Sequence, residues 1–152
     1  MPGTHIAVRR VISAPADLVA DFVTNPDNAP VWHTNVTAVE WHTARPATTG
    51  SRFDVVASIL GRNVTYPIEI IEFVPQERLT IRSDQSRFPL EITYEFAQTP
   101  QGCEMTITNR GQPARLSRLN AALLSRTLRR EAARDLGNLA RLTEAMFGPF
   151  TP

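Results

Sequence analysis

The chain has 152 residues, with 16 basic and 15 acidic side chains and a formal net charge of +1. That balance gives no whole-molecule field to attract nucleic acid or an anionic membrane. A 42% hydrophobic and 20% charged composition excludes disorder and supplies enough apolar material for a core without metals or disulfides.

Cys103 is the only cysteine, so an intrachain disulfide is excluded. All sixteen basic residues are arginine, which removes Schiff-base catalysis and a phosphate-loop lysine, since both need an amine. The N-terminus lacks a secretory apolar run, and no segment approaches the ~20 apolar residues of a spanning helix. The expectations are therefore no membrane span, no nucleic-acid partner and a cytoplasmic location.

Residues 5–12 alternate and predict a strand. Ser13-Ala14-Pro15 stops it, with Ser13 the expected cap and Pro15 in the first turn of a short helix. Leu18, Val19, Phe22 and Val23 follow at helical spacing, and Asp17 faces the positive end of the helix dipole. Asn25-Pro26 ends that helix, and a second helical piece runs from Pro26 to near Trp32.

From Asn35 to Arg110 the period becomes two. Strands are expected over 35–43, 51–60, 63–74, 77–84, 88–97 and 103–110. The breaks are short and turn-like: 45–50, Gly61, Val74-Pro75, 84–87 and 99–102. Consecutive strands should therefore pair antiparallel. Leu90, Ile92, Tyr94 and Phe96 share one face against Glu91, Thr93 and Glu95. Cys103, Met105 and Ile107 likewise oppose Glu104, Thr106 and Thr108, so one face is buried and one is wet. Ile68, Ile70, Ile71 and Phe73 break this parity and predict a bulge or a strand covered on both faces.

Residues 116–147 hold no proline and are rich in good helix formers, so they read as one long helix or two nearly collinear ones. At about 100° per residue, Leu116, Leu119, Leu123 and Leu124 form one apolar stripe. Ala132, Leu136, Leu139 and Met146 form a second, roughly 130° away. Two packing surfaces are expected. Nothing marks a linker or a repeat, so 1–152 is expected to be a single domain.

Strand, two short helices, six-strand meander and long final helix is the order of the α+β helix-grip fold. The chain resembles the SRPBCC superfamily (START and birch-pollen-allergen-like proteins), particularly its polyketide cyclase/dehydrase-like branch. The residues that carry the resemblance are Ile12-Ser13-Ala14-Pro15-Ala16, Asn25-Pro26-Asp27, Trp32 and Gly50-Ser51-Arg52-Phe53. Glu72 to Leu79 and Ala133 to Leu139 complete it. The resemblance implies a curved antiparallel sheet of about seven strands gripping the last helix around a cavity for lipids, polyketides or other bulky apolar molecules. It implies no catalytic residue, because the superfamily shares no catalytic motif.

The sequence holds no metal-ligand spacing, nucleophile elbow, phosphate loop or dinucleotide fingerprint, and no cofactor is expected. His33, beside Trp32 and near the expected pocket mouth, is the candidate acid–base group. Its alternative is a loop histidine. Tyr94, Tyr66 and Asn109 are candidates for polar contacts to a ligand, and Trp32, Trp41, Ile92, Met105, Leu119 and Leu123 for the apolar lining. All could equally be plain core. Asp54 and Arg82 alternate against apolar neighbours and should face solvent.

The leading expectation is binding of a small hydrophobic or aromatic molecule. Its rivals are a cofactor-free polyketide cyclase or dehydratase in the same cavity, and a protein-interaction module with a collapsed cavity. Homodimerisation is left open.

Overall fold

A computed structural model describes residues 4–59, 61–83, 89–111 and 118–149. The expected break at 84–87 and the expected helix start at Leu116 lie outside them. The described elements are β1 (Thr4–Ile12), α1 (Ala16–Val23), a 3-10 turn (Pro26–Asn28), α2 (Ala29–Trp32), β2 (Val36–Trp41), β3 (Arg52–Ile59), β4 (Arg62–Val74), β5 (Arg78–Ser83), β6 (Leu90–Thr99), β7 (Gly102–Gly111) and α3 (Arg118–Phe147).

The seven strands form one antiparallel sheet in the order β1-β7-β6-β5-β4-β3-β2. β2 to β7 pair as a meander, and the first strand closes against the last. Period-two patterning makes one face apolar, and two register shifts curve the sheet toward it. One lies between Val36 and Ala38, the other between Ile70 and Glu72. The second places the bulge at Ile71, where the sequence loses its alternation. A bulge adds a residue, bends its strand and sharpens the local twist.

The core lies on the concave face, where Ile12, Ile70, Leu79, Tyr94, Phe96, Met105 and Ile107 meet Leu136, Leu139 and Ala140 of α3. α3 is a single helix lying along β1 and running in the same direction. Arg129 donates to the Ala7 carbonyl at 3.1 Å, and the Ser13 amide donates to Glu144 at 2.8 Å. The trailing half of α3 therefore closes the end of the sheet where β1 finishes. Its leading half lies toward the end where β1 begins and β7 finishes.

Two local expectations need correction. Pro15, not Ser13, is the N-cap of α1, and no side chain caps it; the Ser13 amide is committed to Glu144 instead. Leu18 is exposed, because α1 turns Ala16, Val19, Ala20 and Val23 inward. The small alanines let α1 sit close to the sheet, where its first amide, without a partner inside the helix, donates to Gln98 at 2.8 Å.

The β6–β7 hairpin turns at Gly102, whose φ of +133° is open to glycine and strained for other residues. A Cβ there would stand 2.1 Å from the Ile12 carbonyl oxygen. Gly102→Ala should therefore destabilise by about 2–4 kcal/mol, in the upper range for single substitutions. Gly50 also has positive φ but open space around it, so Gly50→Ala should cost only about 1 kcal/mol. Urea midpoints of the two variants check the contrast, and equal losses would contradict it.

Candidate functional site

Strand register sets the wall of the site. Ile6, Asn109, Ile92 and Ile81 form one row across β1, β7, β6 and β5. Val8, Ile107, Tyr94 and Leu79 form the next, closer to the end of β1. Tyr66 on β4 faces Val55 on β3 and continues the concave surface toward the far edge. Met105 is fully buried opposite Phe96. Of the residues named from sequence, Ile92, Tyr94, Met105, Asn109 and Tyr66 thus share the concave face.

Leu119 and Leu123 do not join them. They are 71% and 54% exposed, and at about 100° per residue they lie roughly 100–140° round the helix from Leu136. In the leading half, Arg118, Ala121, Ala122, Ser125, Arg129 and Ala132 fall within roughly 60° of Leu136, and Leu128 within about 20° of Leu139; Ala121 is buried, Ser125, Leu128 and Ala132 are half-buried, and Ala122 and Arg129 are exposed. The sheet-facing stripe of the leading half is therefore mixed: small at Ala121, Ser125 and Ala132, but carrying Leu128 and also Arg129, which reaches the Ala7 carbonyl. Met146, expected in the packed stripe, is exposed beyond its end.

Trp41 lies on the edge strand β2, away from α3. Its indole packs on Phe53 with ring centres 5.6 Å apart, and its Nε1 donates to Asp27 at 2.8 Å. Arg45 caps the ring at 5.1 Å and donates to the same carboxylate. These contacts hold the turn before β2 against the sheet. Asp54 faces away from the core as expected and meets His42 at 2.9 Å, and Arg82 lies exposed near Glu69.

His33 ends α2 beside the middle of α3. Its Nδ1 is 2.9 Å from Asp135 Oδ2, and its ring stacks on Trp32 with centres 3.7 Å apart. The other oxygen of Asp135 accepts from the Thr34 amide at 3.0 Å and the Thr34 hydroxyl at 2.8 Å. Asn138 donates to that hydroxyl and accepts from Arg141. Burial alone would raise the Asp135 carboxyl, but hydrogen bonds from His33 and the Thr34 amide outweigh it and hold it below the ordinary value. Asp135 is thus a partly buried anion that fixes the imidazole in place.

Trp32 continues the cluster inward, meeting Tyr94 edge-on with ring centres 6.1 Å apart. Burial first, and the Asp135 charge second, push the Tyr94 phenol well above its ordinary value, so it stays a neutral hydroxyl. Burial also pushes the Cys103 thiol up to about 11, against a hydrogen bond with the Ala97 backbone, which leaves it inert as a nucleophile. Among the described residues no group of three or more His, Cys, Asp or Glu side chains could hold a metal ion. No described helix is long and apolar enough to cross a membrane. An open hollow of about 530 Å³ adjoins the end of the sheet at Thr4, Leu90 and Gly111, and is lined also by His5, Arg82, Glu91 and Arg110 of the convex-side row.

The sequence model of the family described as "Polyketide cyclase / dehydrase and lipid transport" matches residues 3–144. The chain belongs to that family. It is an SRPBCC helix-grip protein. No curated protein sequence matches it. Among solved structures, TTHA0849 from Thermus thermophilus is 18% identical, with a TM-score of 0.77 over 93% of this chain and 98% of that one. The Zhui aromatase/cyclase from Streptomyces sp. R1128 is 12% identical, with a TM-score of 0.78 over 93% and 94%. The di-domain ARO/CYC StfQ of the steffimycin biosynthetic pathway is 13% identical, with a TM-score of 0.80 over 95% of this chain and 52% of StfQ. At such identities the likeness is one of fold.

Within this family member, Asp135 is the residue that sequence reasoning missed. It stood in the Ala133–Leu139 segment that carried the resemblance, but helical spacing gives no hint that a loop histidine 102 positions away reaches it.

The depressed Asp135 carboxyl makes stability depend on pH. The unfolded chain binds this proton more readily than the folded one. The contribution is therefore complete above the ordinary value of 3.8 and is lost as pH falls through the lower folded value. Asp135→Asn should lower stability at pH 7 by about 1–3 kcal/mol and flatten the decline as pH falls below about 4. Urea midpoints across that range test it; an unchanged acid limb would show that Asp135 does not carry the effect.

Proposed function

We propose that the protein binds a small hydrophobic or aromatic molecule between the concave sheet and the leading half of α3. The observation that carries this reading is that three inward positions on that half, Ala121, Ser125 and Ala132, are small, with Leu128 beside them as apolar lining. The concave face of the sheet offers half-buried Ile81, Ile92, Val55, Ile68 and Tyr66. Apolar walls with a few polar groups are the usual make-up of a small-molecule site. Family membership and the aromatase/cyclase folds support the same ligand class.

A dye test follows from the helix wheel. The uncharged naphthalene dye N-phenyl-1-naphthylamine should bind with one-to-one stoichiometry and enhanced fluorescence. Ser125→Trp, which fills the space over the sheet, should weaken binding at least about tenfold, a change of roughly 1.4 kcal/mol. Leu123→Trp, on the outer face, should leave it within about twofold, the scale of surface changes. Equal binding by wild type and Ser125→Trp would sink this placement of the pocket.

The His33–Asp135 pair favours a second reading, cofactor-free cyclisation or dehydration of a polyketide-like substrate. A carboxylate that orients an imidazole beside an apolar wall supplies a general acid–base group. The apolar space would hold a flexible chain folded, and His33 would move the proton. If a screen of poly-β-ketone analogues finds turnover, His33→Ala should lower kcat by about 10²–10⁴-fold with a much smaller change in KM. Full turnover in His33→Ala would remove histidine chemistry and leave binding as the function.

A further inference from the structure

Among the described residues, three buried side-chain polar atoms have no hydrogen-bond partner: Trp32 Nε1, Ser83 Oγ and Asn109 Oδ1. Their residues are 2%, 4% and 8% exposed. Each such atom costs free energy, because it has given up water without replacement. Most buried polar groups avoid this, so three on one surface require a reason.

All three lie on the concave side. Asn109 shares its row with Ile92 and Ile81. Ser83 shares the next row out with Leu90 and Gly111, two residues from Ile81 on the same face of β5. Trp32 contacts Tyr94, in the adjoining row on the other side. Asn109 and Ser83 are two strands and two residues apart, so their Cα atoms stand roughly 12 Å from each other. One water molecule does not span that gap.

We infer that Trp32, Ser83 and Asn109 form a selectivity site that favours oxygen-bearing ligands over hydrocarbons of the same shape. The inference rests on the binding reading above and adds to it which atoms discriminate. The indole N–H can only donate, so it takes a carbonyl or hydroxyl oxygen. The amide oxygen of Asn109 can only accept, so it takes a hydroxyl. Ser83 can do either. A site built to hydrogen-bond a ligand rejects the analogue that leaves its own groups unpaired.

The test compares naphthalene, 2-naphthol and 2,6-dihydroxynaphthalene by calorimetry and competition with the dye. Wild-type affinity should rise along the series, by about tenfold for each well-placed hydroxyl. In Asn109→Leu and in Ser83→Ala the ratio of diol to naphthalene affinity should fall toward one. The ligand-free melting temperature should hold or rise, since an unpaired polar atom has been removed. Ser83→Ala is small enough to keep the fold if Asn109→Leu overpacks. A flat wild-type series with naphthalene still bound overturns the selectivity site and leaves the pocket. No binding of any of the three overturns both. A preference that survives both substitutions assigns it elsewhere and also overturns the inference.

Discussion

The seating of α3 in the concave sheet is the contact on which the rest of the molecule depends. Its trailing half is fixed by Leu136, Leu139 and Thr143, all essentially inaccessible, and by the bond from the Ser13 amide to Glu144. With that half immobilised, the helix is a rigid rod, and the height of its leading half above the sheet is set. The side chains it turns toward the sheet there are Ala121, Ser125, Leu128 and Ala132, with Arg129 reaching the Ala7 carbonyl. The core and the proposed pocket are two ends of one helix–sheet interface.

Polar contacts fix what packing alone leaves free. α2 is four residues long, and its one buried side chain, Trp32, seats it on the core. Asp135 adds a second anchor by accepting from His33 and twice from Thr34. The cost of desolvating the carboxylate is offset by those donors, which is why its proton affinity falls rather than rises. The same bonds position Trp32 over Tyr94 and hold the imidazole rigid. Structural anchoring and acid–base geometry therefore coincide in one group, and the pH dependence of stability and any histidine chemistry are coupled through it.

The unpartnered atoms of Trp32, Ser83 and Asn109 run against this pattern. Elsewhere, buried hydroxyls are satisfied locally: Thr143 donates to the Leu139 carbonyl and Thr24 to that of Ala20. Thr80 and Thr93, on the convex face, pair with each other at 3.1 Å. Binding sites are where a protein keeps such unpaired groups, giving up stability for discrimination.

Strand alternation, the proline-free final segment and the order of elements determined the architecture from sequence, because periods of two and 3.6 report directly which face of an element is buried. The same parity put Tyr94, Asn109, Met105, Ile92 and Tyr66 on one surface, and the lapse at Ile70-Ile71 marked the bulge. Periodicity cannot tell which of two apolar stripes on one helix meets the sheet, so Leu119 and Leu123 were assigned inward and the structure turns them out. Pairings across 102 residues, such as His33 with Asp135, leave no local trace either. Whether a buried polar atom has a partner depends on every neighbouring element at once. The sequence by itself determined which residues face the same way; tertiary packing decided which of them meet, because that depends on how deeply one rigid helix settles into one curved sheet.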